Sequence, residues 1–341
     1  MSEVIWGIVS GILISLLIRR MKGISGLLMW ISYGGGIGDV VRLIIIEGIT
    51  SSNRFSYVFN KGIVLGAGLL VICGDLGNNL KLPREGQYIG ILLSMYIWGK
   101  LINNSGIKLG GWIGCGASIL ITQIFMKVEI NSNITPILPL LICMLGIGRI
   151  LEEIKGNKDE DDVDDEIKDD DSIAKKGYVV GIISALFWGL PTKALNKVIR
   201  DTKDKHYISV LNNSSEGISS GLSLIMVLSN AGARSNVSSM IDSYVDEFSI
   251  YQKIGLIILS IVISVMTYYL VKDKEYVPPK KSYLWFSLFI LVCSVIYICG
   301  IYIGILMIIS GLLVKRILKS SKAPSELAIC GIASIPLLNL V

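Results

Sequence analysis

Arg234 and Ser235 stand in the run Ser229-Asn230-Ala231-Gly232-Ala233-Arg234-Ser235-Asn236. Just upstream, Leu211-Asn212-Asn213-Ser214-Ser215-Glu216-Gly217-Ile218-Ser219-Ser220 sets Asn212 and Asn213 among short hydroxyl side chains. A guanidinium presents a fixed planar fork of donors that matches a carboxylate or phosphate. Asn and Ser add donors and acceptors without bulk. Thr192 follows Phe187-Trp188-Gly189-Leu190-Pro191, where proline removes a backbone donor and a helix either ends or breaks. Arg234, Ser235, Asn212, Asn213 and Thr192 are therefore the candidate binding group for a small anionic solute. Two hydrophilic loops bounding one short span are the alternative reading of the same residues.

A second polar spot is Tyr33-Gly34-Gly35-Gly36-Ile37-Gly38-Asp39-Val40-Val41-Arg42, inside an otherwise apolar stretch. Charges within a bilayer are costly and default to functional candidates. Asp39 and Arg42 are three residues apart, so on a helix they neutralise one another, as an ion-coupling pair or a structural one. Gly36-Ile37-Gly38-Asp39 resembles the GxGD of intramembrane aspartyl proteases. Those enzymes need a partner aspartate, usually earlier in the chain, and no Asp precedes position 39.

Other chemistries find little support. His206 is the only histidine and is expected in a polar loop, which leaves a zinc site or a Ser-His-Asp triad without material. Cys73, Cys115, Cys143, Cys293, Cys299 and Cys330 lie in apolar runs with no CxxC pair, so they read as small core residues. No cofactor, metal or catalytic group is expected, and the chain is not read as an enzyme.

The elements that must position these residues are membrane spans. Of 341 residues, 52% are hydrophobic and only 17% charged, against about 25% charged in soluble domains. The mean hydropathy is +0.64. Two soluble domains could not hide this much apolar sequence, which excludes a cytosolic enzyme and a disordered scaffold. Charge is segregated. Glu152–Lys176 carries a net −7 and the rest of the chain +12. Short basic clusters between apolar runs fit anionic headgroups, and no basic stretch is long enough for nucleic acid.

A span needs about 20 apolar residues, fewer where Lys or Arg can snorkel. Spans are expected at Val4–Ile18, Ile63–Cys73 with flanks, Tyr88–Ile102, Leu109–Met126, Ile134–Leu151, Tyr178–Leu195, Ile218–Leu228 with flanks, Ile254–Val271, Tyr283–Ile298 and Ile301–Val314. Ile24–Ile46 and Leu327–Val341 bring the count to about 10–12. Tyr283–Val314 is uncharged and too long for one crossing, so it is split near Cys299–Gly300. Val237, Met240, Ile241, Tyr244, Val245 and Phe248 recur at helical spacing, which predicts a short interfacial amphipathic helix.

The expected fold is all-α and polytopic, in three parts. Residues 1–151 form a first transmembrane half, 152–176 an acidic flexible linker too polar to order itself, and 177–341 a second half. Gly7-Ile8-Val9-Ser10 and Gly181-Ile182-Ile183-Ser184 open the two halves alike, which raises an internal repeat.

Three segments, in order, resemble the tripartite tricarboxylate transporter permease family, archaeal type. Pro136–Ile147 resembles the proline-containing span and turn that close its first half. Gly181 with Trp188-Gly189-Leu190-Pro191 resembles its "G…GLPG" segment, although Thr192 stands where a glycine is expected. Gly217–Gly221 running into Gly232-Ala233-Arg234-Ser235 is similar to its "G-x-ARSG" span, with Asn236 in place of glycine. The resemblance implies a cell-membrane permease moving a carboxylate by ion-coupled secondary transport, with the bilayer and a small membrane or substrate-binding subunit as partner classes. Two alternatives stand beside it. One is a membrane scaffold or subunit without transport. The other is a lipid-diphosphate phosphatase, suggested by Glu47-Gly48-Ile49-Thr50-Ser51-Ser52 with Arg234-Ser235.

Overall fold

The computed structural model describes residues 2–20, 37–50, 56–72, 84–128, 130, 136–156, 171–187, 190–200, 204–229, 241–242, 244–246, 248–271 and 280–333. Among them the chain is all-helical, with thirteen α-helical segments. In chain order these are α1 Ser2–Arg20, α2 Ile37–Thr50, α3 Ser56–Ile72, α4 Arg84–Asn103, α5 Lys108–Met126, α6 Ile137–Leu141 and α7 Gly148–Ile154. They continue with α8 Asp171–Leu186, α9 Thr192–Ile199, α10 Lys205–Leu228, α11 Ile250–Val271, α12 Lys281–Cys299 and α13 Ile301–Ser320.

Four of them, α5, α11, α12 and α13, are long and apolar enough to cross a membrane, which marks a multi-pass membrane protein. Their outward faces are bare and greasy: Leu109, Trp112 and Leu120 on α5, Tyr251 and Tyr269 on α11, Phe289 on α12 and Leu306 on α13 are all exposed. A water-soluble monomer rarely leaves so much contiguous apolar surface uncovered. In lipid that surface needs no cover.

Two layers of packing organise the interior. On one side α10 lies against α8, α3 and α9, while α11 joins α2 and α3, and α1 pairs with α2. On the other side α13 is flanked by α5 and α12, and α12 also packs on α7. Helix α9 touches α8 and α10 of the first group and α4 of the second. Each group thus draws helices from both sides of the acidic segment. One buried apolar cluster runs through both, from Val40–Ile46 of α2 to Val314 and Leu318 of α13.

Close helix approach depends on glycine. Lipid tails supply no hydrophobic drive between helices, so small residues that let backbones touch take over. At Gly62 of α3 an added methyl group would lie 2.7 Å from the Ile218 carbonyl oxygen and 3.2 Å from Gly221 Cα of α10. Gly177 and Gly181 of α8 face Ser214, Ser215 and Ile218 of α10 in the same way. Gly7 of α1 abuts the Gly38 carbonyl of α2. Both glycines of the repeated Gly-Ile-x-Ser sequence therefore sit at helix crossings.

The structure revises several expected boundaries. The span Tyr178–Leu195 is interrupted: α8 stops at Leu186, and α9 starts at Thr192 after Pro191 in extended geometry. The polar run Leu211–Ser220 is the middle of α10, and His206 lies in its first turn, whose N-cap Asp204 accepts from the His206 amide at 3.1 Å. Hydrogen bonds inside the helix and glycine-mediated burial override the loop-like composition. The turn expected within Pro136–Ile147 from the family resemblance is not seen: Ile137–Leu141 is helical and a π segment, Ile142–Ile147, joins α6 to α7 without a break. Both ends of segment 152–176 are helical too, since α7 runs to Ile154 and α8 begins at Asp171. The division of Tyr283–Val314 falls where expected, at Gly300, whose φ of 80° and ψ of 162° suit only glycine.

Candidate functional site

Helix α10 holds 24 residues, roughly 36 Å at 1.5 Å per residue, and carries its polar side chains inward rather than to a water-facing edge. Ser209, Ser214, Ser215 and Ser223 are buried, and Asn212, Asn213, Glu216 and Ser220 are half-buried. Asn212, Ser215, Glu216, Ser220 and Ser223 fall three or four residues apart, which gathers them on one face. Ser214 turns its hydroxyl back to the Val210 carbonyl at 2.7 Å and needs no other partner.

The break between α8 and α9 aims a second set of polar groups at this face. Ser184 donates to the Leu190 carbonyl at 2.6 Å and holds the connection tight. Pro191 fixes the entry to α9, whose N-terminus has no side-chain cap. One turn in, Asn196 is 2% exposed. Its Nδ2 donates to Asn212 Oδ1 at 2.9 Å and to Ser215 Oγ at 2.7 Å. Its Oδ1 is buried and has no hydrogen-bond partner among the described residues. Lys193, on the same helix, stands 3.7 Å from Glu216.

From the other flank α2 contributes Glu47, only 7% exposed, which accepts a hydrogen bond from Ser220 and lies within electrostatic range of Glu216. Asn60 of α3 bonds Ser264 of α11 nearby in the same helix group. Two carboxylates, two amides and several hydroxyls thus line buried and half-buried faces of α2, α9 and α10, with Lys193 exposed at the margin. The arrangement offers carbonyl and carboxylate oxygens to a donor or small cation, and an ammonium with backbone amides to an anion.

The residues singled out from sequence fare unequally. Asn212 is a member of this group, and half-buried Thr192 opens the helix that carries Lys193 and Asn196. Asn213 instead donates to Ser209 on its own helix at 3.3 Å. Arg234 and Ser235 lie outside the described residues, as does half of the amphipathic helix expected over 237–248, whose described Ile241, Val245 and Phe248 are buried in the core rather than laid in an interface. Asp39 and Arg42 form the expected pair at 3.0 Å, and Arg42 Nε also donates to Ser10 of α1 at 2.8 Å. They brace the α1–α2 crossing.

Sequence reasoning missed Asn196, Lys193 and the engagement of Glu47 and Ser220. The available signal was the break itself: a proline after an apolar helix, with Asn196 four residues beyond Thr192 on the same face. Among the described residues no group of three or more His, Cys, Asp or Glu side chains could hold a metal ion. Compared with protein-family models, curated proteins and solved structures, the chain matches none.

Proposed function

We propose that this chain is a cell-membrane permease that moves a small carboxylate by ion-coupled secondary transport, in the manner of the tricarboxylate transporter-like proteins its sequence resembles. In this reading the spans number about 10–12, the two halves are related by a repeat, and no catalytic chemistry is involved. A small membrane or substrate-binding subunit completes the assembly.

The observation that carries the reading is the Asn196 amide. A buried polar atom left without a partner costs about 1–3 kcal/mol, yet Oδ1 of Asn196 is buried and, among the described residues, unpartnered beside the polar face of α10. A passing ligand repays that cost. The oxygens of Asn196, Glu216 and Glu47 suit the coupling cation or proton, whereas Lys193, the α9 N-terminus and Arg234 suit the carboxylate. Broken helices whose ends meet inside the bilayer are a common way to build such sites.

Uptake of labelled di- and tricarboxylates into proteoliposomes tests this. The wild type accumulates one of them under a proton or sodium gradient. Asn196→Ala and Arg234→Ala lose roughly 10-fold or more, a loss of ~1.4 kcal/mol or greater, while their circular dichroism stays that of the wild type. Absence of uptake by the wild type with every carboxylate and both gradients refutes the proposal. That result favours a membrane subunit without transport, a reading supported by the mutual pairing of Lys193 with Glu216 and of Asn196 with Asn212.

A further inference from the structure

Cys115 of α5 and Cys330, directly after the 3-10 turn Ser325–Ile329, are 215 positions apart in sequence and meet in the core. Each is 5% exposed, and their Sγ atoms stand 2.8 Å apart. A disulfide needs sulfurs about 2.0 Å apart, so closure requires only ~0.8 Å of travel. The backbone around the pair is already in register. Ser118, one turn along α5, donates to the Ala328 carbonyl and accepts from the Gly331 amide at 3.1 Å. Gly331 packs so tightly on Ser118 and Thr122 that a methyl group there would overlap both.

We propose that Cys115 and Cys330 form a disulfide that staples the C-terminal segment to α5. Hydrogen peroxide is a sufficient oxidant, being small and uncharged enough to enter an apolar interior. One sulfur attacks a peroxide oxygen, the O–O bond breaks, and a sulfenic acid and water result. The second sulfur then attacks the sulfenic sulfur, the S–O bond breaks, the S–S bond forms and a second water leaves. Two thiols are oxidised and one peroxide is reduced.

The staple acts on more than the terminus. The same 3-10 turn bears Glu326, whose carboxylate takes Lys197 of α9 at 3.1 and 3.3 Å. The bond therefore fixes the strut behind the helix that carries Asn196 and Lys193. The inference itself is independent of any transport activity. The other described thiols are arranged differently: Cys293 is exposed, Cys143 is buried in the neighbourhood of Cys299, and Cys299 lies 3.6 Å from the Met307 thioether.

The test uses the full chain in lipid nanodiscs, treated with hydrogen peroxide, then unfolded, alkylated, digested and read by mass spectrometry. Alkylation of Cys115 and Cys330 falls roughly 10-fold or more, a cross-linked peptide containing both appears, and a reductant restores the label. In Cys115→Ser no cross-linked peptide containing Cys330 forms after peroxide, and in Cys299→Ser the Cys115–Cys330 cross-link still forms. The oxidised wild type also melts at a higher temperature than the reduced protein. Full alkylation of both residues after peroxide overturns the proposal, as does a cross-link joining Cys330 to a cysteine other than Cys115.

Discussion

Replacing Gly62 by Ala isolates what holds α3 to α10. The new methyl group meets only backbone: the Ile218 carbonyl oxygen at 2.7 Å, with Ile218 Cα and Gly221 Cα both at 3.2 Å. No rotamer change relieves such contacts, so the helices must separate by several tenths of an ångström, at about 1–3 kcal/mol for overpacking. Alanine also favours a helix over glycine by about 1 kcal/mol, which offsets part of that cost. Gly99 of α4 provides the correction, because a methyl group there meets nothing within 4 Å. The propensity gain is common to both variants, and their difference is the steric cost alone. In detergent, at one scan rate, Gly62→Ala should melt a few degrees below Gly99→Ala, taking roughly 1–2 °C per kcal/mol for a chain of this size. Equal melting temperatures, or a more stable Gly62→Ala, would refute glycine-mediated contact at this crossing.

Two further perturbations probe the charged braces. Arg42→Met leaves Asp39 unpaired beside α1, whereas Asp39→Asn combined with Arg42→Met removes both charges. A double-mutant cycle on thermal stability should give a coupling of about 0.5–3 kcal/mol, and additivity would show the pair to be idle. At the end of α7, Glu152 pairs with Lys315 at 2.6 Å and Lys319 at 3.1 Å. Burial alone would raise its pKa, but hydrogen bonds and charge from Lys315, then Lys319, hold it below the ordinary 4.5. A depressed carboxylate contributes stability that is full above its unfolded pKa and lost as pH falls through the folded one. The stability gap between wild type and Glu152→Gln should therefore be constant from neutral pH down to about 5 and close below about 4.5. A gap unchanged down to pH 3 would exclude the pairing as its source.

The sequence by itself determined the solvent. Apolar runs the length of a bilayer, bounded by Lys and Arg, point to a membrane, four of the described helices are long and apolar enough to cross one, and the division at Cys299–Gly300 could be read from length alone. The Asp39–Arg42 pair was equally legible, because i,i+3 charges on a helix meet whatever surrounds them. The glycine pairs Gly62/Gly66, Gly177/Gly181 and Gly217/Gly221 were visible as spacings, but spacing does not say which helix answers which. Only the tertiary structure decided that α3 and α8 both close on α10, and so that its Asn and Ser residues face inward instead of forming loops. The break after Leu186 was decided there as well, since proline permits a helix end or a kink and packing selects between them. Asn196 escaped sequence reasoning for the same reason. A lone amide on a short helix has no local signature, and its burial arises from the packing of α9 against its sequence neighbours α8 and α10 and against the distant α4.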